Sequence, residues 1–289
     1  MGARLWASLV LNLAITFVEF IGGMWSGSVA LMADAAHNLA DVGALGMAIF
    51  ARSLGRRGPT LRHTYGFKRA EVIAALLNAG VLIAISVVIV HGAIARLRSP
   101  APVDSTTMLT AAVIALVANG LSVFLLRTHS HDDINVRSAF LHLLQDALAS
   151  LAVVIAALVS RTSIGTYVDP LAAMLISVVV LRSTTTVLWK SLHTLLEATP
   201  DGVDLEQLVG DLGSRFPDVQ FHHVHVCEVG PSQWALTAHM RLGVTYLRDA
   251  EARAIEVRQY LRRQVKIGHV TLESEAEGCG SEAVLAVWI

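Results

Sequence analysis

Charge is scarce in this chain. Asp, Glu, Lys and Arg make up only 16% of its 289 residues, while 54% are hydrophobic; a soluble domain carries ~25% charged residues. That balance excludes an ordinary water-soluble globule. The formal net charge of −1 gives no reason to expect nucleic acid as a partner. Cysteine is almost missing too. Cys227 and Cys279 are the only two, so a disulfide framework is excluded, and in a reducing cytosol they would be free thiols or metal ligands. Hydrolytic signatures are absent: there is no His-Glu-x-x-His and no Gly-x-Ser-x-Gly. An intramembrane metalloenzyme would need a vacant coordination position and a nearby general base. Asp34 alone is available for that role, so the expectation is a protein that is not an enzyme. The first apolar run is followed by no cleavage-site pattern, and Glu19 interrupts it, so it reads as a membrane span and not as a signal peptide.

Long apolar runs are what the chain has instead. They fall at 5–24, 29–51, 70–96, 106–127, 138–160 and 168–190, each near the ~20 residues that cross hydrocarbon. The expectation is an α-helical membrane protein with six transmembrane helices in a lipid bilayer, over residues 1–199. Basic residues set its orientation. Arg52, Arg56, Arg57, Arg62, Lys68 and Arg69 flank the loop after the second span, and Arg127 and Arg137 that after the fourth. The opposite loops hold only Arg96, Arg98 and Arg161. An excess of Lys and Arg marks the cytoplasmic side, so both termini are expected in the cytoplasm. Arg69, before the third span, and Glu197, after the sixth, then share that face as candidates for an ion pair.

Inside these runs a pattern occurs twice: His37-x-x-x-Asp41 and His142-x-x-x-Asp146. The i, i+4 spacing puts both side chains on one helix face, Cβ atoms ~5–6 Å apart. Ionisable residues are costly in hydrocarbon and are functional candidates there by default. Two facing pairs would offer two imidazole nitrogens and two carboxylates, a tetrahedral set that suits Zn²⁺. A metal site in a bilayer, without redox or hydrolytic partners, points to transport. Such ligands bind metal only as neutral imidazole and ionised carboxylate, so metal and protons compete. The ordinary imidazole pKa, ~6.5, lies where modest pH differences change its charge. Asp34, three residues before His37, is open to several readings: an entry ligand, a proton relay, an acceptor that orients His37, or a residue that meets water at the external end of its helix. Glu19 and Asn12 read as interhelical hydrogen-bonding groups, as do Asn38, Asn78, Asn119 and Gln145. His91 reads as reaching the interface at the external end of the third span. His129, His131, Asp132 and Asp133, between the fourth and fifth spans, read either as a loose metal-collecting patch or as a solvated turn.

After Thr199 the charge density rises. Residues 200–289 suffice for a small soluble domain. A helix is expected over 203–216, strands over 219–229 and 233–242, a second helix over 249–266 stopped by Gly268, and a third strand over 269–273. The order αββαβ suggests a ferredoxin-like α+β arrangement. Strand alternation puts His223 and His225 on one face and His222 on the other.

These segments resemble the cation diffusion facilitator family. The similarity lies in Phe17-Val18-Glu19-Phe20-Ile21-Gly22-Gly23, in the run from Ser26 through Asp34-Ala35-Ala36-His37-Asn38-Leu39-Ala40-Asp41, in Tyr65-Gly66-Phe67-Lys68-Arg69-Ala70-Glu71, in Asn135 to His142, in Asp169-Pro170 and in Leu195-Leu196-Glu197. The resemblance implies a homodimeric exporter, in a bacterial inner (plasma) membrane, that exchanges cytoplasmic divalent metal for protons. His37 then goes with zinc-selective members rather than those for Mn²⁺ or Fe²⁺. Alternatives are the same fold with broader selectivity (Cd²⁺, Co²⁺, Mn²⁺) or a membrane metal receptor that does not transport. The resemblance further implies a cytoplasmic metal-sensing and dimerisation domain in which His222, His239 and His269 are ligand candidates for regulatory Zn²⁺, completed by Glu275 or Cys279. His63 corresponds to part of a secondary site in some members, but Phe67 stands where that site has its later His, so a structural or surface role for His63 stays open.

Overall fold

The computed structural model describes residues 3–126, 134–162, 165–243, 246–265 and 267–277. His129, His131, Asp132, Asp133 and Cys279 lie outside them. The described chain forms two compact units, one of residues 1–48 and 77–188, the other of 49–76 and 189–289.

Six long helices come first: α1 (Ala3–Ser26), α2 (Val29–Gly55), α3 (Ala70–Arg98), α4 (Ser105–Leu126), α5 (Ile134–Val159) and α6 (Gly165–Leu195). Four of them, α3 to α6, are long and apolar enough to cross a membrane, and this is a helical membrane domain. Its core is built of small residues. Ala30, Ala33, Ala40, Ala111, Ala112, Ala156, Ala157 and Ala173 are buried around Leu31, Met108 and Val153. Small side chains let helices approach closely where lipid supplies no hydrophobic drive between them. At Gly22 the approach of α1 to α4 is tight: a Cβ there would meet the Ala111 Cβ at 2.5 Å. Larger apolar side chains, among them Val117, Leu121, Leu148, Ile155 and Leu175, point outward and are exposed, as a lipid-facing surface requires.

The turn between α1 and α2 is fixed by two features. Gly27 takes φ +68°, a left-handed conformation that glycine adopts without penalty, and its carbonyl accepts a hydrogen bond from Arg96 at 2.6 Å. The first amides of α2 would otherwise lack partners. Ser28 Oγ accepts from the Leu31 amide at 3.1 Å, and Asp169 of α6 accepts from the Ser28 hydroxyl and from the amides of Val29 and Ala30. A buried carboxylate thus holds a helix N-terminus from a neighbouring helix, where the positive end of the helix dipole favours it.

The second unit contains a three-stranded sheet with two helices: α7 (Leu205–Arg215), β1 (Val219–Gly230), β2 (Gln233–Leu242), α8 (Leu247–Gln264) and β3 (Ile267–Glu275). The sheet order is β1-β2-β3, with β1 antiparallel to β2 and β2 parallel to β3. A parallel pair needs a crossover, and α8 supplies it. Asp204 caps α7 by accepting from the Gln207 amide at 3.0 Å. Leu208 and Leu212 of α7 share a core with Val257 and Leu261 of α8 and with Val224, Leu236, Met240 and Ile267 of the sheet. Gly268, expected to stop α8, lies inside β3; the helix ends earlier, at Gln264.

The Asp169 clasp generates an expectation. Asp169→Ala leaves a buried hydroxyl and two amides without their acceptor, a loss of roughly 1–3 kcal/mol. We expect a matching fall in thermal stability in detergent and a smaller one for Asp169→Asn, which retains an acceptor oxygen. Equal stability of wild type and Asp169→Ala would show that the N-terminus of α2 needs no partner from α6.

A candidate metal centre between two helices

Each His-x-x-x-Asp pair occupies one helix face, on α2 and on α5, because residues four apart lie one turn above another. The fold brings the two faces together. His37 Nε2 lies 3.4 Å from Asp41 Oδ2 and 3.7 Å from Asp146 Oδ1. His142 Nε2 lies 3.4 Å from Asp41 Oδ2 and 3.8 Å from Asp146 Oδ2. Four ligands at ~2.0–2.1 Å from a tetrahedral Zn²⁺ stand about 3.3–3.4 Å from each other. The observed nitrogen–oxygen separations match or slightly exceed that spacing. His37, Asp41 and Asp146 offer ligand atoms all within 4.8 Å of one another, and His142 reaches both carboxylates. Both His37 nitrogens, Asp41 Oδ2 and both Asp146 oxygens are buried without a hydrogen-bond partner. Buried polar atoms are normally satisfied, and four of these five, His37 Nε2, Asp41 Oδ2 and the two Asp146 oxygens, belong to the facing ligand atoms, which fits a cation.

Access is uneven. The Asp146 side chain is 1% exposed, whereas that of His142 is 45% exposed. One imidazole therefore opens the set to its surroundings while the carboxylates stay covered.

Asp34 does not meet water at a helix end. It is 1% exposed, and its Oδ2 accepts from the Ser150 hydroxyl of α5 at 3.2 Å. Glu19 is also fully buried and accepts from the Asn38 amide at 2.8 Å, an interhelical bond of the kind expected. Asn119 donates to Ser150 at 3.0 Å.

In the second unit a second group forms. His222 Nε2 lies 3.1 Å from Glu275 Oε2, His239 Nδ1 lies 2.7 Å from Glu275 Oε1, and His239 Nε2 lies 3.5 Å from Glu273. His222, His239 and Glu275 offer ligand atoms within 4.8 Å of one another. His269 is not among them. It stands opposite Ala235, while His239 stands opposite Glu273; four residues of strand separate them by about 13 Å. Its ring instead meets Tyr65 edge-on, centroids 5.8 Å apart.

Simple alternation misplaced His223. The β1–β2 register shifts between His222 and His225, an extra residue that marks a β-bulge, and His223 takes φ 48°. Its ring therefore joins the others, 5.2 Å from that of His222 and 4.9 Å from that of His239. Desolvation, then the neighbouring His239 and His222, lower its pKa from the ordinary value. Glu273, two residues before Glu275 on the same strand face, is the other member that went unnoticed; period-two spacing alone would have found it. His63 stacks on Phe67 at 4.4 Å, which favours the structural reading. Cys227 is half-buried and free. Its thiol is pushed up by desolvation and by Glu197, so it stays protonated and is no ready metal ligand.

Arg69 Nη2 and Glu197 Oε1 form an ion pair at 2.7 Å. Glu197 ends α6 in an unusual way, with φ 58°. The Ala198 amide bonds the His193 carbonyl and the Glu197 amide that of Thr194, a Schellman turn whose left-handed position is normally glycine.

Comparison with known proteins adds a sequence context. Residues 5–196 match a family described as the cation efflux transmembrane domain. Over 264 residues the chain is 40% identical to the zinc transporter ZitB of Escherichia coli strain K12, covering 91% of this chain and 83% of that protein. It is 38% identical over 281 residues to the zinc transporter ZitB of Pectobacterium atrosepticum, covering 96% and 87%. It is 30% identical over 272 residues to a cadmium, cobalt and zinc/H⁺–K⁺ antiporter of Bacillus subtilis, covering 93% and 88%.

The strained end of α6 is open to test. Replacing Glu197 by glycine relieves a left-handed backbone worth ~1–2 kcal/mol and loses an exposed ion pair worth ~0–1 kcal/mol. We expect Glu197→Gly to melt at or above the wild-type temperature in detergent, and Glu197→Lys to melt below it. A clear loss of stability in Glu197→Gly would show that the pair with Arg69 outweighs the strain.

Proposed function

The chain belongs to the cation diffusion facilitator (cation efflux) family, and we propose on that premise that it exports Zn²⁺ from the cytoplasm in exchange for protons. The observation that carries this reading is the convergence of His37, Asp41, His142 and Asp146, whose cross-helix separations of 3.4 and 3.7 Å match or slightly exceed those of a tetrahedral zinc ligand set. These four residues are the proposed transport site, and the zinc transporters named above support the choice of ion. Two borderline nitrogens and two hard oxygens suit Zn²⁺ better than an all-oxygen set, which favours Mn²⁺ or Mg²⁺. The Bacillus subtilis relative, named for cadmium and cobalt as well, supports some breadth of selectivity.

Exchange follows from ligand chemistry. Zn²⁺ needs neutral imidazole and ionised carboxylate, so its binding releases protons and proton uptake expels it. The reading includes six transmembrane spans with both termini in the cytoplasm, a homodimer, and a ferredoxin-like cytoplasmic domain over residues 200–289. There His222, His239 and Glu275, with His223 and Glu273 beside them, are proposed to take regulatory Zn²⁺. A metal bound in that group biases the transporter only through unequal affinity for its conformations.

Two outcomes are expected in sealed vesicles. Asp41→Ala and Asp146→Ala each abolish zinc uptake at verified protein levels, since each removes a ligand and half of the compensating charge; uptake at the wild-type rate in either would overturn the site. His37→Asp replaces a nitrogen ligand by a hard oxygen, and we expect the Zn²⁺/Mn²⁺ transport ratio to fall. An unchanged ratio would assign selectivity to other residues.

A further inference from the structure

The four proposed ligands leave two buried acids unused. Glu19 of α1 and Asp34 of α2 are 0% and 1% exposed, and their carboxyl groups lie within hydrogen-bonding reach of each other. The remaining bonds around them come from neutral donors: the Asn38 amide to Glu19 and the Ser150 hydroxyl to Asp34. Behind Ser150 stands the Asn119 amide of α4. Glu19 Oε1, Asp34 Oδ1 and the Asn38 carbonyl oxygen are all buried with no donor. Among the described residues neither acid has an ion pair with an arginine or lysine, and a further charged group near Glu19 is another acid, Asp146 of α5. On α2 the nearest titratable neighbour in sequence is His37, and α4 contributes only Asn119.

Two carboxyl groups in contact, without a cation, hydrogen-bond only if one of them carries a proton, because ionised carboxylates are acceptors only. With no cation beside them, two like charges in contact disfavour each other and one group keeps its proton. An interhelical tether needs no acids at all, since amides and hydroxyls bond across helices equally well. We propose that Glu19 and Asp34 form a proton-binding pair, distinct from the four metal ligands, that holds a proton exchanged against Zn²⁺. The inference rests on the transport reading above.

The step balances simply. With one shared proton the pair carries charge −1. When Zn²⁺ enters the neighbouring ligands, its charge favours departure of that proton, and the pair is left as two carboxylates facing a cation. When Zn²⁺ leaves, the pair takes a proton back. Position supports the same sequence of events. Asp34 lies one helical turn from His37 toward the α1–α2 turn, and Glu19 lies two turns from the α1 end at the same turn. In the proposed orientation that is the outward side, from which protons enter an exporter.

The test counts protons on the full-length protein in detergent. Zinc is added in weak buffer, and protons released per zinc bound are read with an indicator dye. Glu19→Gln and Asp34→Asn are each expected to release about one proton fewer than wild type, with no further loss in the double variant, because the proton is shared. Infrared difference spectra of the wild type are expected to lose a protonated-carboxyl band on zinc binding, a readout that needs no variant to fold. Proton counts equal to wild type in either variant, or no such band in the wild type, would overturn the pair. Failure of zinc to drive proton movement in wild-type vesicles would instead remove the transport reading, and it is scored separately from the binding counts.

Discussion

A carboxylate inside hydrocarbon must meet a cation, a row of donors or a proton, because lipid offers none of them. The membrane unit of this chain applies all three solutions. Asp169 takes the donors, holding a helix N-terminus through Ser28, Val29 and Ala30. Asp41 and Asp146 face imidazoles across a gap of metal-ligand dimensions. Glu19 and Asp34 meet each other. Each solution fixes helices relative to one another: α2 to α6, α2 to α5, and α1 to α2. The polar interior is thus the device that sets helix positions, while small alanines let those positions be close.

What could be read from the sequence was local, and what could not was relational. The i, i+4 pairs were visible because helix geometry alone aligns them. The order of helices and strands followed from apolar periodicity and strand alternation. Contacts between distant segments were not visible. Nothing near Glu19 in sequence announces Asp34, and nothing in β3 announces that His269 lies four residues from the register of His239. His223 shows a subtler failure. Alternation holds only while a strand pairs one residue for one, and the bulge after His222 breaks it. Glu197 is a third kind: a single residue in a conformation that sequence would assign to glycine, held where its side chain meets Arg69.

The two histidine-carboxylate groups differ in a way that fits different tasks. In the second unit the closest contact is short, 2.7 Å between His239 Nδ1 and Glu275 Oε1, so that imidazole and that oxygen already satisfy each other. A metal there must replace hydrogen bonds, and its net gain is reduced by what it displaces. Between α2 and α5 the separations are longer and the oxygens lack donors. A cation there would displace only long His–carboxylate contacts of 3.4–3.8 Å.

That same argument limits how tight a carrier's site should be. A structural zinc site closes all four positions and holds its ion, whereas cargo has to leave. The proposed ligand set is lopsided: Asp146 is sealed and His142 is largely open. In the proposed site the open imidazole is the ligand that can swing aside first, and once it detaches the ion keeps only three partners. Neighbouring acids then decide the outcome, because a proton arriving on Glu19 and Asp34 removes negative charge that had favoured the cation. On that proposal retention and release are the same electrostatic balance, with its sign set by whether protons or zinc neutralise the buried carboxylates.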